Sequence, residues 1–342
     1  MQSVGTRAVN APVPLDPLPF PKQSLSSHLA LRCTACGGDL AVLPNPALLA
    51  NCVPLICRQC HAVTMQEKGI WRALSEDRRS YFARFIVDYE TVRRLEGRGS
   101  DDPQFYLSLP NSDRTGRNSW QWAIRARTYS YLRHKILPLI SIKTSPLNIL
   151  DLGAGNGWMS YRLSRLGHHP VAVDLLTNEF DGLGAGVHYQ RVLPVMFPRF
   201  QAEFENLPFA SRQFDCAIFN ASFHYSEDYD RALAEAIRCL RCGGILVIAD
   251  SPSYSREESG RQMLAERQES FQRTFGFRSN SLASREFLTQ EILRRLEVRH
   301  DIQWATHRPW HGIRWACRPL VAHLKGRREP SQFHIYTARV SR

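Results

Sequence analysis

The stretch Asp151-Leu-Gly-Ala-Gly-Asn-Gly157 directly follows an apolar run and directly precedes a helical pattern. Glycines at such a turn let the backbone bend tightly and approach a ligand, because no Cβ intervenes. The amide groups at the start of the following helix then face a negative group. The stretch does not fit the dinucleotide pattern Gly-x-Gly-x-x-Gly, since its third glycine comes one residue early. The turn therefore predicts a ligand site of a different kind.

Strands and helices alternate around this turn. Apolar runs typical of strands occupy residues 147–152, 170–174, 214–220 and 244–250. Helical patterns occupy residues 158–166 and 229–240, and two further strands are predicted at 297–304 and 332–340. This alternation predicts an α/β fold, with a mostly parallel sheet covered by helices on both faces.

Five segments in this order resemble the class I S-adenosylmethionine (SAM)-dependent methyltransferases. The first is the Asp-x-Gly-x-Gly-x-Gly turn, and the second is Asp174, which ends the next strand 23 residues after Asp151. Glu-Phe-Glu-Asn-Leu-Pro-Phe at 203–209 resembles the Asp-Ala-x-x-Leu-Pro-Phe segment of the family. Asn-Ala-Ser-Phe-His-Tyr at 220–225 and Arg-Cys-Gly-Gly at 241–244 complete the series. The resemblance covers about residues 145–252 and implies a Rossmann-like, seven-stranded sheet.

The resemblance also implies that the cofactor is SAM. Gly153 and Gly155 would line its amino-acid end, and the Asp174 carboxylate would accept hydrogen bonds from the ribose hydroxyls. Glu203, where the family has Asp, would accept from the adenine amino group, and Phe204 would flank the ring. The predicted cofactor-binding residues are Asp151, Gly153, Gly155, Asn156, Gly157, Asp174, Leu175, Glu203, Phe204 and Asn220.

Two side chains beyond the fourth strand are candidates for the reaction itself. His224 would lie beside the methyl group of the cofactor, as a general base or to orient the acceptor, and Tyr225 is a second candidate. Alternatively, His224 has no role in the reaction and only packs at the end of the strand, and the sequence supports both interpretations equally. The Asn/Asp-Pro-Pro-Tyr signature of amino-group methylation is absent at 220–223, which argues against adenine-N6 and glutamine acceptors.

Four cysteines near the N-terminus have the spacing of a metal site. Cys33-Thr-Ala-Cys36 and Cys57-Arg-Gln-Cys60 are separated by 20 residues, which is typical of zinc knuckles. Four thiolates leave no open position for water, so the predicted Zn²⁺ is structural. Cys52 and His61 lie nearby and are interpreted as bystanders.

The 342 residues divide into four predicted regions. Residues 1–28 are a flexible tail, 29–75 a small zinc-ribbon-like domain, 76–145 a helical linker and lid, and 146–342 the methyltransferase domain. Helices are predicted at 77–95 and 120–139 within the lid region. No apolar run reaches the ~18 residues of a membrane span and no signal peptide is recognisable, so a cytoplasmic location is expected.

The chain carries a net charge of +12. Residues 254–342 hold 17 Lys and Arg against 9 Asp and Glu, so most of the excess lies in the last quarter. Residues 307–328 are basic with interleaved Trp, which fits RNA, an anionic membrane or a connection that closes over a small substrate. The leading hypothesis is methylation of a small-molecule acceptor. An rRNA or tRNA base methyltransferase that uses the ribbon to recognise RNA, and a non-catalytic SAM-sensing protein, are the alternatives.

Overall fold

The computed structural model describes residues 29–42, 54–140, 146–278 and 281–341, so the predicted tail and Cys52 lie outside the described residues. The strands are β1 Leu40–Val42, β2 Leu55–Cys57, β3 Val63–Glu67, β4 Ile70–Arg72, β5 Asn148–Leu152, β6 His169–Asp174, β7 Arg199–Gln201, β8 Phe214–Asn220, β9 Leu240–Ala249, β10 Ser253–Tyr254, β11 Leu288–Thr289, β12 Ala305–His307 and β13 Ile335–Arg339. The α-helices are α1 Glu76–Leu95, α2 Pro103–Ser108, α3 Ser119–Tyr131, α4 Leu137–Ile140, α5 Trp158–Arg165, α6 Val187–Gln190, α7 Tyr229–Cys239, α8 Glu257–Phe275, α9 Gln290–His300, α10 Ile313–Ala316 and α11 Arg318–Leu324.

Seven strands form the central sheet in the order β7-β6-β5-β8-β9-β13-β12. The first five run parallel, and β13 is antiparallel to both of its neighbours. The strand order reverses between β5 and β8, and open α/β sheets bind ligands beyond the carboxyl ends of the strands at such a reversal. The glycine turn follows β5 at this point. The predicted α/β class and mostly parallel sheet are confirmed.

The N-terminal strands extend the same sheet. Strands β1 to β4 pair antiparallel in sequence, and β4 then pairs in parallel with β7, so the sheet has eleven strands. Trp71 and Phe200 face each other in this register, and their rings stack with centroids 6.3 Å apart. Both side chains are buried, which covers the edge that β7 would otherwise expose.

Both faces of the central sheet are buried, as expected for parallel strands. Leu150 and Leu152 of β5 point into one apolar cluster, and Ile149 points into the cluster on the opposite face. In the residues that the structure describes, no helix combines the length and apolar character needed to cross a bilayer.

The strand predicted at 297–304 is wrong. Helix α9 extends to His300, and the strand β12 begins only at Ala305. The hydroxyl of Thr289 accepts a hydrogen bond from the amide of Ile292 and caps α9, whose buried side chains Ile292, Leu293 and Leu296 form one helical face. The strand predicted at 332–340 is confirmed as β13. The predicted helix 77–95 is confirmed as α1, and 120–139 is α3 and α4 joined through a π-helical turn.

Candidate active site

The glycine turn after β5 holds its backbone in a conformation that other residues rarely adopt. The φ angles of Gly153, Gly155 and Gly157 are 76°, 54° and 77°. A Cβ on Gly153 would lie 2.2 Å from the Cβ of Ser222, so no larger residue fits without movement of the chain. The Gly153 amide donates to the carbonyl of Val173 at 2.8 Å, which fixes the turn against β6.

A cavity with about 1010 Å³ of empty space opens beside this turn. Nine of the ten predicted cofactor-binding residues line it: Asp151, Gly153, Gly155, Asn156, Asp174, Leu175, Glu203, Phe204 and Asn220. Gly157 does not line the cavity and is instead the residue from which α5 begins. Residues of α1 and α3 complete the wall. A lid function for this region stays a prediction.

A buried carboxyl group, that of Asp151, and a half-buried one, that of Asp174, lie at the ends of β5 and β6. The Asp174 carboxylate accepts hydrogen bonds from the amides of Gly155 and Leu176, each at 2.8 Å. One Asp151 oxygen accepts from the Ser160 hydroxyl at 2.7 Å. Burial raises the pKa of Asp174 to about 6 and that of Asp151 to about 7. Both groups therefore titrate close to neutral pH.

Four buried oxygen atoms on residues that line the cavity have no partner among the described residues: Oδ1 of Asp151, Oδ1 of Asn220, Oε1 of Glu205 and Oγ of Ser226. The first two lie near the ends of the neighbouring strands β5 and β8. An unpaired buried acceptor is costly, because it has lost its hydrogen bonds to water. The two atoms therefore mark the positions where a bound ligand would donate hydrogen bonds.

Arg125 of α3 also lines the cavity, and the sequence analysis placed it in the lid without a binding role. Its guanidinium stacks over the Trp122 ring, 4.9 Å from the centroid, and forms no ion pair or hydrogen bond within the described parts of the chain. Burial lowers its pKa to about 10, so it stays charged at neutral pH. Arg93 of α1, by contrast, is paired with Asp181. Arg125 thus makes no direct ion pair among the described residues, and the charge of Asp250 acts on it only from beyond ion-pair distance.

The Glu203 side chain is already engaged by α1. Its carboxylate accepts from Nε of Arg78 at 2.9 Å and forms a second contact with the same guanidinium at 2.5 Å. Phe204 makes an edge-to-face contact with Phe219 at 5.3 Å. The predicted adenine contact of Glu203 stays a prediction, and the side chain would have to share its carboxylate with Arg78.

The two candidate catalytic residues point in different directions. Tyr225 lines the cavity and contacts the Tyr89 ring edge-to-face, with centroids 5.7 Å apart. His224 is buried outside the lining, and its Nδ1 lies 3.3 Å from the Ser251 hydroxyl. Burial lowers the pKa of His224 to about 3. An imidazole this weakly basic is a poor general base, so the geometry argues against that role for His224.

A second cavity of about 890 Å³ adjoins the first. The two share Phe85, Tyr89, Arg93, Tyr225 and Leu282 in their walls. Phe271 of α8 and Phe277 beyond it add further aromatic lining, and Arg267 pairs with Glu286 at its edge. Tyr225 therefore lies where the two cavities meet.

The four predicted metal ligands come together. The sulfur atoms of Cys33, Cys36, Cys57 and Cys60 all lie within 4.8 Å of one another. Backbone amides two residues beyond Cys33, Cys36 and Cys57 each lie 3.4 Å from the sulfur and favour the thiolate form. This donor set fits a closed tetrahedral Zn²⁺ site.

The first cysteine loop is hydrogen-bonded to the segment that carries Glu203. Asn206 donates to the carbonyl of Thr34 at 2.7 Å, and the Arg32 amide donates to the carbonyl of Pro208 at 3.1 Å. The Thr34 hydroxyl donates a hydrogen bond to the carbonyl of Ala73, just beyond β4. Sequence reasoning missed this link, because it joins residues more than 170 positions apart.

Comparison with known proteins gives one family and several distant relatives. A family model described as a methyltransferase domain matches residues 150–248. The phthiotriol/phenolphthiotriol dimycocerosates methyltransferase of Mycobacterium leprae is 28% identical over 200 residues, which cover 56% of this chain and 68% of that protein. The ubiquinone/menaquinone biosynthesis C-methyltransferase UbiE of Haemophilus ducreyi is 33% identical over 104 residues, which cover 30% of this chain and 40% of the relative.

A third relative and one solved structure complete the comparison. The fatty-acid O-methyltransferase of Mycolicibacterium smegmatis is 26% identical over 188 residues, covering 53% of this chain and 63% of that protein. A crystal structure of a putative sarcosine dimethylglycine methyltransferase from Galdieria sulphuraria has a TM-score of 0.46 and 16% identity, covering 63% of this chain and 86% of that one. The chain thus spans between 40% and 68% of the length of the three relatives described.

Proposed function

We propose that this chain, a member of the class I SAM-dependent methyltransferases, methylates a small acceptor with an apolar part that binds in the second cavity. The observation that carries the proposal is the set of unpartnered groups in the first cavity. Asp151 and Asn220 each present an orphaned oxygen, and Arg125 presents an unpaired cation. These groups complement a ligand that bears both an ammonium and a carboxylate.

The amino-acid end of SAM is such a ligand. In our proposal its ammonium donates to Asp151 and Asn220, and its carboxylate pairs with Arg125. Asp174 holds the ribose, and Phe204 packs on the adenine. Arg125 thereby joins the cofactor-binding residues that the sequence suggested.

When bound, SAM supplies an electrophilic methyl group that a nucleophile on the acceptor displaces in line. The protein contributes alignment and the exclusion of water, which are worth up to ~7–11 kcal/mol in favourable cases. Tyr225 and Tyr89 stand where the two cavities meet, so their rings would position the acceptor against the methyl group. His224 takes no part in proton transfer in this proposal.

The aromatic side chains in the wall of the second cavity support an acceptor with an apolar part, and the six Asp, Glu and Arg side chains of the same wall would contact polar groups on it. The names of three relatives point the same way, since they refer to phthiotriol and phenolphthiotriol dimycocerosates, to ubiquinone and menaquinone biosynthesis, and to fatty acids. A structural Zn²⁺ held by the four cysteines would need reduced thiols, which supports the expected cytoplasmic location. RNA is the second candidate acceptor, and the observation that supports it is the positive charge of the C-terminal quarter.

Transfer of labelled methyl groups separates the two acceptor classes. Purified protein with methyl-tritiated SAM would be incubated with organic-solvent extracts of cells and, separately, with total RNA. We expect label in the organic phase and none in RNA, and Tyr225→Ala should reduce it sharply. Label that appears in RNA and not in the organic phase would contradict a small-molecule acceptor.

A further inference from the structure

Residues 308–328, called the basic segment below, carry large apolar side chains that face solvent. Trp310 is 67% exposed, Ile313 73% and Leu320 61%, and Leu324 is 76% exposed. Leu320 and Leu324 lie one turn apart on α11 and therefore share one side of that helix. Val321 is exposed as well. Exposed apolar residues are common singly, but five within fifteen residues are a feature that needs an explanation.

The segment contains six Lys and Arg and no Asp or Glu. Arg328 pairs with Glu266, and Arg318 stacks on the Trp315 ring at 3.9 Å. The other four cations are exposed and have no acidic partner in the described structure: Arg308, Arg314, Lys325 and Arg327. The same segment therefore exposes both apolar and positively charged side chains.

The segment is firmly attached to the protein on its other side. Trp315 is buried, and its ring stacks on Phe333 with centroids 5.3 Å apart. The Trp315 ring also contacts Trp120 at the start of α3, the helix that carries Arg125 into the cavity wall. The exposed side chains therefore extend from a fixed base next to the lid of the active site.

Aliphatic side chains distinguish the possible anionic partners. Nucleic-acid surfaces stack bases on aromatic rings and gain little from exposed Ile and Leu. A lipid surface takes up aliphatic and Trp side chains at the level of the headgroups while Lys and Arg meet anionic lipids. The exposed large apolar and charged residues here are four aliphatic side chains, one Trp and four cations without an acidic partner among the described residues, a combination that favours lipid.

We propose that the basic segment is a peripheral docking surface for an anionic lipid bilayer. Ile313, Leu320 and Leu324 enter the headgroup region, and the free cations pair with lipid phosphates. The docking places the lid helix α3 next to the bilayer. This proposal needs neither SAM nor an acceptor, so it stands apart from the proposed methyl transfer.

Cosedimentation with vesicles tests the proposal directly. The full chain would be mixed with sucrose-loaded vesicles of phosphatidylcholine alone, or with about one third phosphatidylglycerol. We expect partitioning onto the anionic vesicles that weakens with salt. Leu320→Ser/Leu324→Ser should reduce the partition coefficient at least roughly tenfold, since two side chains lose their burial. Lys325→Gln/Arg327→Gln should reduce it on anionic vesicles only.

A matched control carries changes of the same type elsewhere. Val298 of α9 is 86% exposed and Arg231 of α7 is also exposed, so Val298→Ser/Arg231→Gln should bind vesicles like the wild type. Far-ultraviolet circular dichroism would confirm that each variant is folded. Failure of the wild type to bind anionic vesicles, or equal binding by the Leu320→Ser/Leu324→Ser variant, would overturn the proposal. Binding to an RNA oligomer with no binding to vesicles would overturn it as well.

Discussion

Asn206 donates a hydrogen bond of 2.7 Å to the carbonyl of Thr34, which lies between two of the four clustered cysteines. Asn206 belongs to the segment that carries Glu203 and Phe204 into the cavity wall. The cysteine cluster and the proposed adenine end of the cofactor site are therefore joined by direct contact. We therefore expect that a change in the conformation of the cysteine loops alters the segment that carries Glu203, and that a change in this segment alters the cysteine loops.

If the four clustered cysteines hold Zn²⁺, as we propose, then removal of the metal should weaken SAM binding as well as stability. Without Zn²⁺ the cysteine loops lose their cross-link, so the Thr34 carbonyl no longer fixes the segment after β7. We expect chelation to lower the melting temperature in one cooperative transition, because β1 to β4 share a sheet with the core. Calorimetry before and after chelation measures this effect. Two separate transitions would show that the ribbon unfolds independently.

Asn206→Ala isolates the contact from the metal. It should leave the zinc content unchanged, cost about 1 kcal/mol of unfolding free energy and weaken SAM binding several-fold. Asn111→Ala, at an exposed asparagine near the end of α2, is the control. An Asn206→Ala protein with wild-type affinity for SAM would show that the contact has no influence on the cofactor site.

Loss of the Arg125 charge should weaken cofactor binding. Arg125→Gln removes the proposed partner of the SAM carboxylate, and hydrogen bonds to charged groups are worth about 1.5–3 kcal/mol. The dissociation constant should therefore rise roughly 10- to 100-fold. Arg133→Gln, at an exposed residue in the turn after α3, should bind normally. If only the Michaelis constant of the acceptor changes, then Arg125 contacts the acceptor instead.

Affinity for SAM should increase as the pH rises through about 6 to 7. Asp151 and Asp174 have raised pKa values of about 7 and about 6, and only the ionised carboxylates attract the positively charged ligand. Asp151→Asn should weaken binding and leave only the lower of the two titrations. Calorimetric titrations between pH 5 and 8 provide the test, and a flat profile for the wild type would contradict these roles.

The same pKa values have the opposite effect on the stability of the free protein. Because the folded-state pKa values are raised, the folded protein retains protons that the unfolded chain releases near pH ~4. The contribution of these two groups to the free energy of unfolding should therefore be greatest below pH ~4, and it should decrease as the pH rises to about 7. Asp151→Asn should flatten the upper part of this decrease in denaturant titrations.

His224 and Tyr225 should differ in their effects on turnover. Tyr225→Phe removes a hydroxyl at the junction of the cavities and should lower kcat with little change in SAM affinity. His224→Gln should not move the pH dependence of kcat between pH 5 and 8, because His224 is already neutral there. If the wild-type kcat falls at acidic pH and this fall is absent in the His224→Gln variant, then His224 acts as a general base after all.

Local patterns predicted most of the central sheet, and nine of the ten residues predicted to bind the cofactor line the first cavity. The turn at 151–157 is specific because its glycines, the apolar strand before it and the helix after it all lie within a few residues. The orientation of His224 was not predictable, since it depends on a short 3-10 turn and on Ser251. The pairing of β4 with β7, the Arg78 contact to Glu203 and the unpaired state of Arg125 depend on distant parts of the chain. Helix α9 was missed because its buried residues are few and close in sequence.

Isothermal titration of SAM into the zinc-loaded protein, with and without Asp174→Ala, tests the central claim most directly. Micromolar binding, about −8 kcal/mol, that is lost in the variant is the result we predict, and S-adenosylhomocysteine should bind in the same way. Asp39→Ala, at a residue beside the cysteine loop that does not line the cavity, should leave the affinity unchanged. No binding by a folded wild-type protein would contradict the assignment of this cavity to SAM.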